Sequence, residues 1–472
     1  MNVARLRRTA IVLGCVAWMA GPALAQPAKL SGYNADIRES SISGVSSGAF
    51  MAVQFGTAWS SVIRGVGVVA GGPYWCAKAK SWLSYWSALS NATGVCLSGP
   101  LSDLSEFFAK ADSKSASGAI DSLQLLGRQK IYLFHGYNDD KVARPVTDAA
   151  AGFYRHYLGE ANRGNLFYQT TIGAGHSLVV AQDPPRTDLG ACQANVGPFI
   201  GQCGYDQAGI ILQHIYGALN PPRQGPLTGT IKSFDQSVYA KPASLSRISL
   251  GETGYVFVPK SCADGEACGV HIALHGCRQT VDHIQKRFID HAGYNAWADT
   301  NRLIVLYPQT VAASGPWPYN PQGCWDLWGY VDYDDSYVTK SGAQIRTIKA
   351  MLDALTASAA PAIVAAPAPT VAPDRLAVVD ITDTSAALAW TPQAGTAGYR
   401  VFRAGADGPF AAVGDATGPS FADSGLTPQT AYRWRVSTIV NGTEGPASGE
   451  ATATTRVAPV PCQKPGTCPI GP

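Results

Sequence analysis

The chain has almost no net charge once its leader is set aside. Residues 1–25 hold Arg5, Arg7 and Arg8 and no acid, which takes 36 Lys and Arg down to 33, against 33 Asp and Glu. Only 15% of residues are charged, while 46% are hydrophobic. That composition excludes a disordered chain and removes the electrostatic basis for binding nucleic acid or an anionic membrane. An uncharged or mixed substrate is expected. Long apolar runs are missing too. The run Thr9–Ala20 falls short of the roughly 20 residues a membrane span needs. With the arginines before it and Ala23-Leu24-Ala25 after it, it reads as a secretory signal cleaved before Gln26. Cys-x-x-Cys pairs beside a histidine couple are also absent, which argues against zinc; no metal or cofactor is expected.

What is present is cysteine in an even set. Of 11, Cys15 leaves with the signal, and ten remain in sequence-local couples: Cys76/Cys96, Cys192/Cys203, Cys262/Cys268, Cys277/Cys324 and Cys462/Cys468. In an exported protein such a set reads as disulfides, although sequence alone does not fix connectivity. The 472 residues exceed one domain's usual length. Residues 26–357 follow strand-then-helix patterns. An Ala/Pro linker spans 358–372, and 373–456 holds short alternating runs such as Tyr432-Arg433-Trp434-Arg435-Val436. These runs, with turn residues between them, predict a small all-β sandwich. A Pro-rich tail, 457–472, carries the last two cysteines.

The most informative stretch is Gly44-Val45-Ser46-Ser47-Gly48, which fits the Gly-x-Ser-x-Gly turn of an α/β-hydrolase nucleophile. Ile37 to Ser43 is expected to be the strand before it and Ala49 to Ser60 the helix after it. Base and acid should follow in the order Ser, Asp, His. Lys130–Phe134 reads as a strand running into His135-Gly136-Tyr137-Asn138-Asp139-Asp140-Lys141-Val142, and the His-Gly-x-x-Asp-x-x-Val spacing selects Asp139 over Asp140. A second strand, Leu166–Ile172, leads into Gly173-Ala174-Gly175-His176, which makes His176 the base; His135, His156 and His214 are worse placed. One element is missing. No strand and glycine loop precede the nucleophile to supply an oxyanion amide. That element comes afterwards, as Val270–Leu274 followed by His275-Gly276-Cys277, with another strand at Leu303–Pro308. The expected fold is therefore a circularly permuted α/β-hydrolase domain joined to an all-β sandwich.

The permuted order and its wording resemble poly(3-hydroxybutyrate) (PHB) depolymerases. The matching words are Gly-Val-Ser-Ser-Gly-Ala-Phe-Met-Ala (44–52), Gly-Gly-Pro-Tyr-Trp-Cys (71–76) and Leu-His-Gly-Cys (274–277). Asn-Ala-Trp-Ala-Asp-Thr-Asn (295–301), Tyr-Pro-Gln-Thr (307–310) and Gly-Cys-Trp-Asp-Leu-Trp-Gly-Tyr (323–330) complete the set. The resemblance implies a serine esterase with Ser46 as nucleophile, Asp139 as orienting acid and His176 as base. It implies the amides of Ser47 and Cys277 as oxyanion hole, His275 as a substrate contact, and Trp325 and Trp328, on a loop tied by Cys277–Cys324, as substrate contacts, with a core position as the alternative for the two tryptophans. The implied substrate is a polyester or its ester oligomers. Residues 373–456 resemble a fibronectin type III module, with Trp390 on an early strand, Gly425-Leu426-Thr427-Pro428, and Tyr432 at a tyrosine corner. Such depolymerases usually continue into a polymer-adsorbing domain. This sequence stops about 16 residues after the module, so weak adsorption to crystalline polymer is expected. Two rivals stand: a secreted carboxylesterase of the same scaffold acting on feruloyl or acetyl esters, and a non-catalytic adhesion or carbohydrate-binding protein on a dead hydrolase fold.

Overall fold

A computed structural model describes residues 28–182, 184–315, 317–357, 371–393, 398–440 and 443–458. The expected signal segment, most of the linker, and Cys462 and Cys468 lie outside the described residues. The chain divides into two compact units, Met1–Ala359 and Ala360–Pro472.

The first unit is built on an eight-stranded sheet. Its strands are β1 (Ala35–Val45), β2 (Ile63–Val69), β3 (Lys130–Phe134), β4 (Leu166–Gln169), β5 (Thr230–Asp235), β6 (Thr253–Val258), β7 (Cys268–Leu274) and β8 (Leu303–Tyr307). They lie in the order β4-β3-β2-β1-β7-β8-β6-β5. The six strands from β4 to β8 run parallel, and β6 and β5 extend the edge antiparallel. Parallel strands are covered on both faces, so they read as unbroken apolar runs. Every residue of β7 (CGVHIAL) and β8 (LIVLY) is buried.

Helices packed on the sheet supply the cover, among them α1 (Ser47–Ala58), α2 (Arg144–Leu158), α3 (Gln207–Tyr216), α4 (Tyr294–Asn301) and α5 (Ala343–Thr356). Successive strand residues point to opposite faces. Ile131 and Leu133 join Phe50, Phe55, Phe153, Ile345 and Leu352, from α1, α2 and α5, in one core. Tyr132 and Phe134 join Ile211, Leu212 and Tyr294, from α3 and α4, in the other. Strand β1, which runs into Ser46, thus sits mid-sheet, between β2 and a partner, β7, that arrives much later in the chain. This is the permuted α/β-hydrolase order expected from the sequence.

Two details differ from expectation. The helix after Ser46 begins at Ser47 rather than Ala49, because the chain turns within a single residue. Strand β4 stops at Gln169, whose Oε1 accepts from Thr171 N at 3.1 Å and Thr171 Oγ1 at 2.9 Å and so bends the chain away. The words at 295–301 are structural ties. Trp297 Nε1 donates to Asp206 Oδ2 (2.8 Å) at the start of α3, and Tyr307 OH donates to Asn295 Oδ1 (2.7 Å).

The second unit has two antiparallel sheets. One is β9 (Ala377–Ile381), β10 (Ser385–Ala389) and β13 (Ser420–Ser424). The other holds β11 (Gly398–Gly405), β12 (Ala411–Ala416), β14 (Ala431–Val440), β15 (Thr443–Ala447) and β16 (Ala451–Thr454). Leu388, Trp390, Tyr399, Val401, Trp434 and Val436 fill the space between them. Tyr432 OH accepts from Thr427 N at 3.0 Å, the tyrosine-corner bond.

Candidate active site

Ser46 sits at φ 57°, ψ −125°, a conformation that side chains other than glycine rarely adopt. The turn is held on both sides. Ser46 N–H donates to Val69 O of β2 (2.9 Å), and Ser46 O accepts from Ala49 N (2.8 Å) and Phe50 N (3.1 Å), opening α1. The flanking glycines follow from the same geometry. A Cβ on Gly44 would lie 2.2 Å from Gly48 O, and one on Gly48 would lie 2.4 Å from His275 O. Neither distance is compatible with a side chain, so the Gly-x-Ser-x-Gly pattern is dictated by backbone contact.

Asp139 and His176 leave the C-terminal ends of β3 and β4, the same edge of the sheet from which Ser46 leaves β1. Asp139 Oδ2 accepts from His176 Nδ1 at 2.8 Å, and Asp139 Oδ1 accepts from the amides of Lys141 and Val142, both at 2.9 Å. The carboxylate is 1% exposed. Burial pushes its pKa up, but the hydrogen bond and charge of His176 together with the two amides outweigh it and hold the carboxyl below its ordinary value. The neighbouring Asp140 faces solvent, with its side chain 62% exposed and paired to Lys141. Among the described residues, His176 Nε2 has no protein hydrogen-bond partner.

The segment expected to supply an oxyanion amide follows β7, beside β1. Gly276 N–H donates to Gln279 Oε1 at 2.7 Å. A Cβ on Gly276 would come within 3.1 Å of Ser46 Cβ, so this loop lies directly against Ser46. Neither Ser47 N nor Cys277 N has an acceptor among the described residues. Cys277 is bonded to Cys324, which brings the 324–331 loop alongside. The other three expected pairs within the described residues, Cys76–Cys96, Cys192–Cys203 and Cys262–Cys268, are disulfides as well.

Ser46, Ser47, Phe50, Leu97, Cys277, Leu327 and Trp328 line one cavity of about 450 Å³. Two residues expected to touch substrate do not face it. Trp325 is fully buried: its N–H donates to Ser47 Oγ (3.2 Å) and its indole Nε1 donates to His275 O (3.0 Å). His275 is fully buried as well. Its Nε2 accepts from Thr310 N at 3.2 Å, which makes it the Nδ1–H tautomer donating to Gly276 O at 2.8 Å. Burial pushes its pKa down to about 4, so it is a neutral brace under the oxyanion loop. Both are corrections to the expectation. The sequence suggested large, hydrogen-bonding groups near the site, and the packing turns them inward. Asp326, between Trp325 and Trp328, is buried and accepts from the amides of Trp328, Gly329, Tyr330 and Val331.

Other parts of the site were not singled out from sequence. Gln279 lies two residues past Cys277. Asn195, inside the Cys192–Cys203 loop, accepts from His176 N–H at 2.6 Å. Next in sequence to the lining residues Leu89 and Tyr319 are exposed aromatic and apolar side chains: Trp82 (72% exposed), Trp86 (71%) and Trp317 (53%), with Leu83 and Tyr319 also exposed. Tyr85 joins them, its ring 5.3 Å from those of both Trp86 and Trp317. The uncharged stretches 81–101 and 303–325 contain this rim, a signal that was readable in the sequence.

The chain is similar to several known proteins. A fibronectin type III domain model matches residues 371–454. The chain is 35% identical over 428 residues to a poly(3-hydroxybutyrate) depolymerase of Delftia acidovorans, spanning 88% of this chain and 79% of that protein. It is 38% identical over 328 residues to a polyhydroxybutyrate depolymerase of Talaromyces funiculosus, spanning 67% of this chain and 90% of that one. A solved PHB depolymerase complexed with an R3HB trimer superposes with TM-score 0.62 at 33% identity, over 70% of this chain and 99% of that chain. The crystal structure of PHB depolymerase from Penicillium funiculosum matches with TM-score 0.61 over the same shares. With this breadth of identity, the chain belongs to the poly(3-hydroxybutyrate) depolymerase family and carries a fibronectin type III domain after its hydrolase fold.

Proposed function

We propose that the protein is an exported serine esterase that hydrolyses poly(3-hydroxybutyrate)-type polyesters and their oligomers. The observation that carries the chemistry is the Asp139–His176 hydrogen bond (2.8 Å), formed at the same sheet edge as the strained Ser46 turn. Ser46 Oγ attacks the ester carbonyl as its proton passes to His176 Nε2, and Asp139 holds the Nδ1–H tautomer. The carbonyl oxygen, now an alkoxide, takes hydrogen bonds from the Ser47 and Cys277 amides. His176 then gives the proton to the departing alcohol oxygen, leaving the acyl group on Ser46. A water deprotonated by His176 attacks that acyl group and releases the hydroxy acid.

The leader at 1–25 and four disulfides support export. No described helix is long and apolar enough to cross a membrane.

The substrate class rests on the rim. A soluble feruloyl or acetyl ester needs only a pocket. An exposed, uncharged aromatic group beside the cavity suits a solid, neutral polymer. Trp86, Leu89 and Thr93 share one face of the helix Tyr85–Thr93, and Leu89 and Thr93 line the cavity, so that face leads from exposed Trp86 to the cavity. The deciding experiment measures hydroxy-acid release from amorphous PHB and its oligomers beside feruloyl and acetyl esters. Turnover of the aromatic or acetyl esters without polyester clearing rejects the proposal. The paired variant Trp82→Ala/Trp86→Ala is expected to lose most binding to polymer film while oligomer hydrolysis stays within about twofold. Unchanged film binding removes the rim from the account and returns the expectation of weak adsorption.

A further inference from the structure

The segment between the base and α3 folds back on itself. Leu178–Val180, Ile200–Gln202 and Gly190–Ala191 form a small parallel sheet, closed by Cys192–Cys203. This segment touches the chemistry at two places, on opposite sides of His176.

On the first side, Asn195 grips the acid and the base together. Its Oδ1 accepts from His176 N (2.6 Å) and Asp140 N (3.2 Å), and its Nδ2 donates to Asn138 O (2.9 Å). One amide thus holds the backbone on both sides of Asp139 and the backbone of His176. Gly175 seats the contact: its N–H donates to Cys192 O at 2.9 Å, and a Cβ there would meet Ala194 O at 2.4 Å.

On the second side, the Phe199 ring lies edge-on to His176 with centroids 6.0 Å apart. The carbonyls of Pro198 and Phe199 both accept from Gln279 Nε2 at 3.0 Å, while Gln279 Oε1 accepts from Gly276 N at 2.7 Å. Gln279 is buried. Its amide therefore spends its donors on the strap and its acceptor on the oxyanion loop. With the Gly276 N–H turned into Gln279, the next amide, Cys277, is the one left without an acceptor.

We propose that the Cys192–Cys203 segment is an alignment strap, with Asn195 and Gln279 as its two positioning residues. It holds the Asp139–His176 pair and the loop bearing the Cys277 amide in fixed positions relative to each other. This rests on the catalytic roles given under Proposed function. Neither side chain touches substrate; both act through the groups they hold.

The test uses the full-length protein and a soluble p-nitrophenyl ester. Asn195→Ala and Gln279→Ala are each expected to lower kcat by roughly 10- to 100-fold, the scale of an ångström-sized misplacement. KM is expected to stay within about threefold, since ground-state binding is untouched. Because both residues act through one strap, the double variant should lose little more than the worse single variant. Independent packing defects would instead multiply. The isosteric pair Asn195→Asp and Gln279→Glu keeps each acceptor and removes each donor. It is expected to recover part of kcat, and it carries the same cycle if the alanine variants do not fold. Single variants within twofold of the parent in kcat, losses confined to KM, or multiplicative losses overturn the inference. Ser46→Ala run in parallel separates the two levels. If it remains active, the catalytic reading fails; if it is inactive while the strap variants are normal, only the strap fails.

Discussion

Asp139 and Asp140 are adjacent in sequence, yet only Asp139 enters the hydrogen-bond chain to His176; Asp140 pairs with Lys141 in solvent. Ser46→Ala and His176→Ala are therefore expected to abolish ester hydrolysis while leaving the thermal midpoint nearly unchanged. Asp139→Asn should lose roughly 10³-fold or more in kcat, because the imidazole loses its tautomer and orientation. Asp140→Asn should stay within about twofold, as expected for an exposed charge. Equal losses at the two aspartates in steady-state kinetics would mean the acid is mis-assigned. These residues were legible because each lies in a local word: a turn needing two glycines, a spaced loop after a strand, a histidine between small residues. Gln279 and Asn195 carry no such word. Each matters through carbonyls and amides contributed by distant loops, which no local pattern encodes. His275 and Trp325 were misjudged for the converse reason. Their type suggested substrate contact, whereas their burial depends on Thr310, Ser47 and the packing between them.

Among the elements, the sheet was the easiest to read. Parallel strands covered on both faces are continuous apolar runs, so β3 falls at the expected residues and β8 stops one short of them, at Tyr307 before Pro308. The loop after Cys324 was harder, because its shape depends on one buried carboxylate. Asp326 takes four amides, and burial pushes its pKa up to about 7 despite them. For a carboxyl raised on folding, the stability it contributes is fully present below its ordinary value near 4. That contribution is lost as pH rises through about 7. The expectation is a thermal midpoint that falls across that interval, and Asp326→Asn should flatten the slope. Asp326→Ala should cost at least about 3 kcal/mol at any pH, since buried amides lose their acceptor. Denaturant melts at pH 5 and pH 8 measure both. An unchanged slope in Asp326→Asn would assign the pH dependence to other groups, such as Asp332, whose pKa burial also raises.

For the molecule as a whole, every residue of the proposed chemistry falls in the unit Met1–Ala359. Removing residues 373–472 is expected to change hydrolysis of soluble oligomers by less than about threefold, while film binding reports any contribution of the sandwich. A larger fall in oligomer kcat would mean the second unit supports the first. The chain order has a further consequence, in time. Ser41 on β1 bonds His271 on β7 across 230 positions. At about 5–20 residues per second, synthesis separates those two strands by roughly 10–45 seconds. Until then the central strand lacks one lateral neighbour, and the turn bearing Ser46 lacks the His275 carbonyl against which Gly48 packs. On the proposed roles, a nascent chain ending before that point holds Ser46, Ser47, Asp139 and His176 but not the Cys277 amide. The permuted order is then expected to leave a growing polypeptide with half of its proposed oxyanion hole until Cys277 has been made.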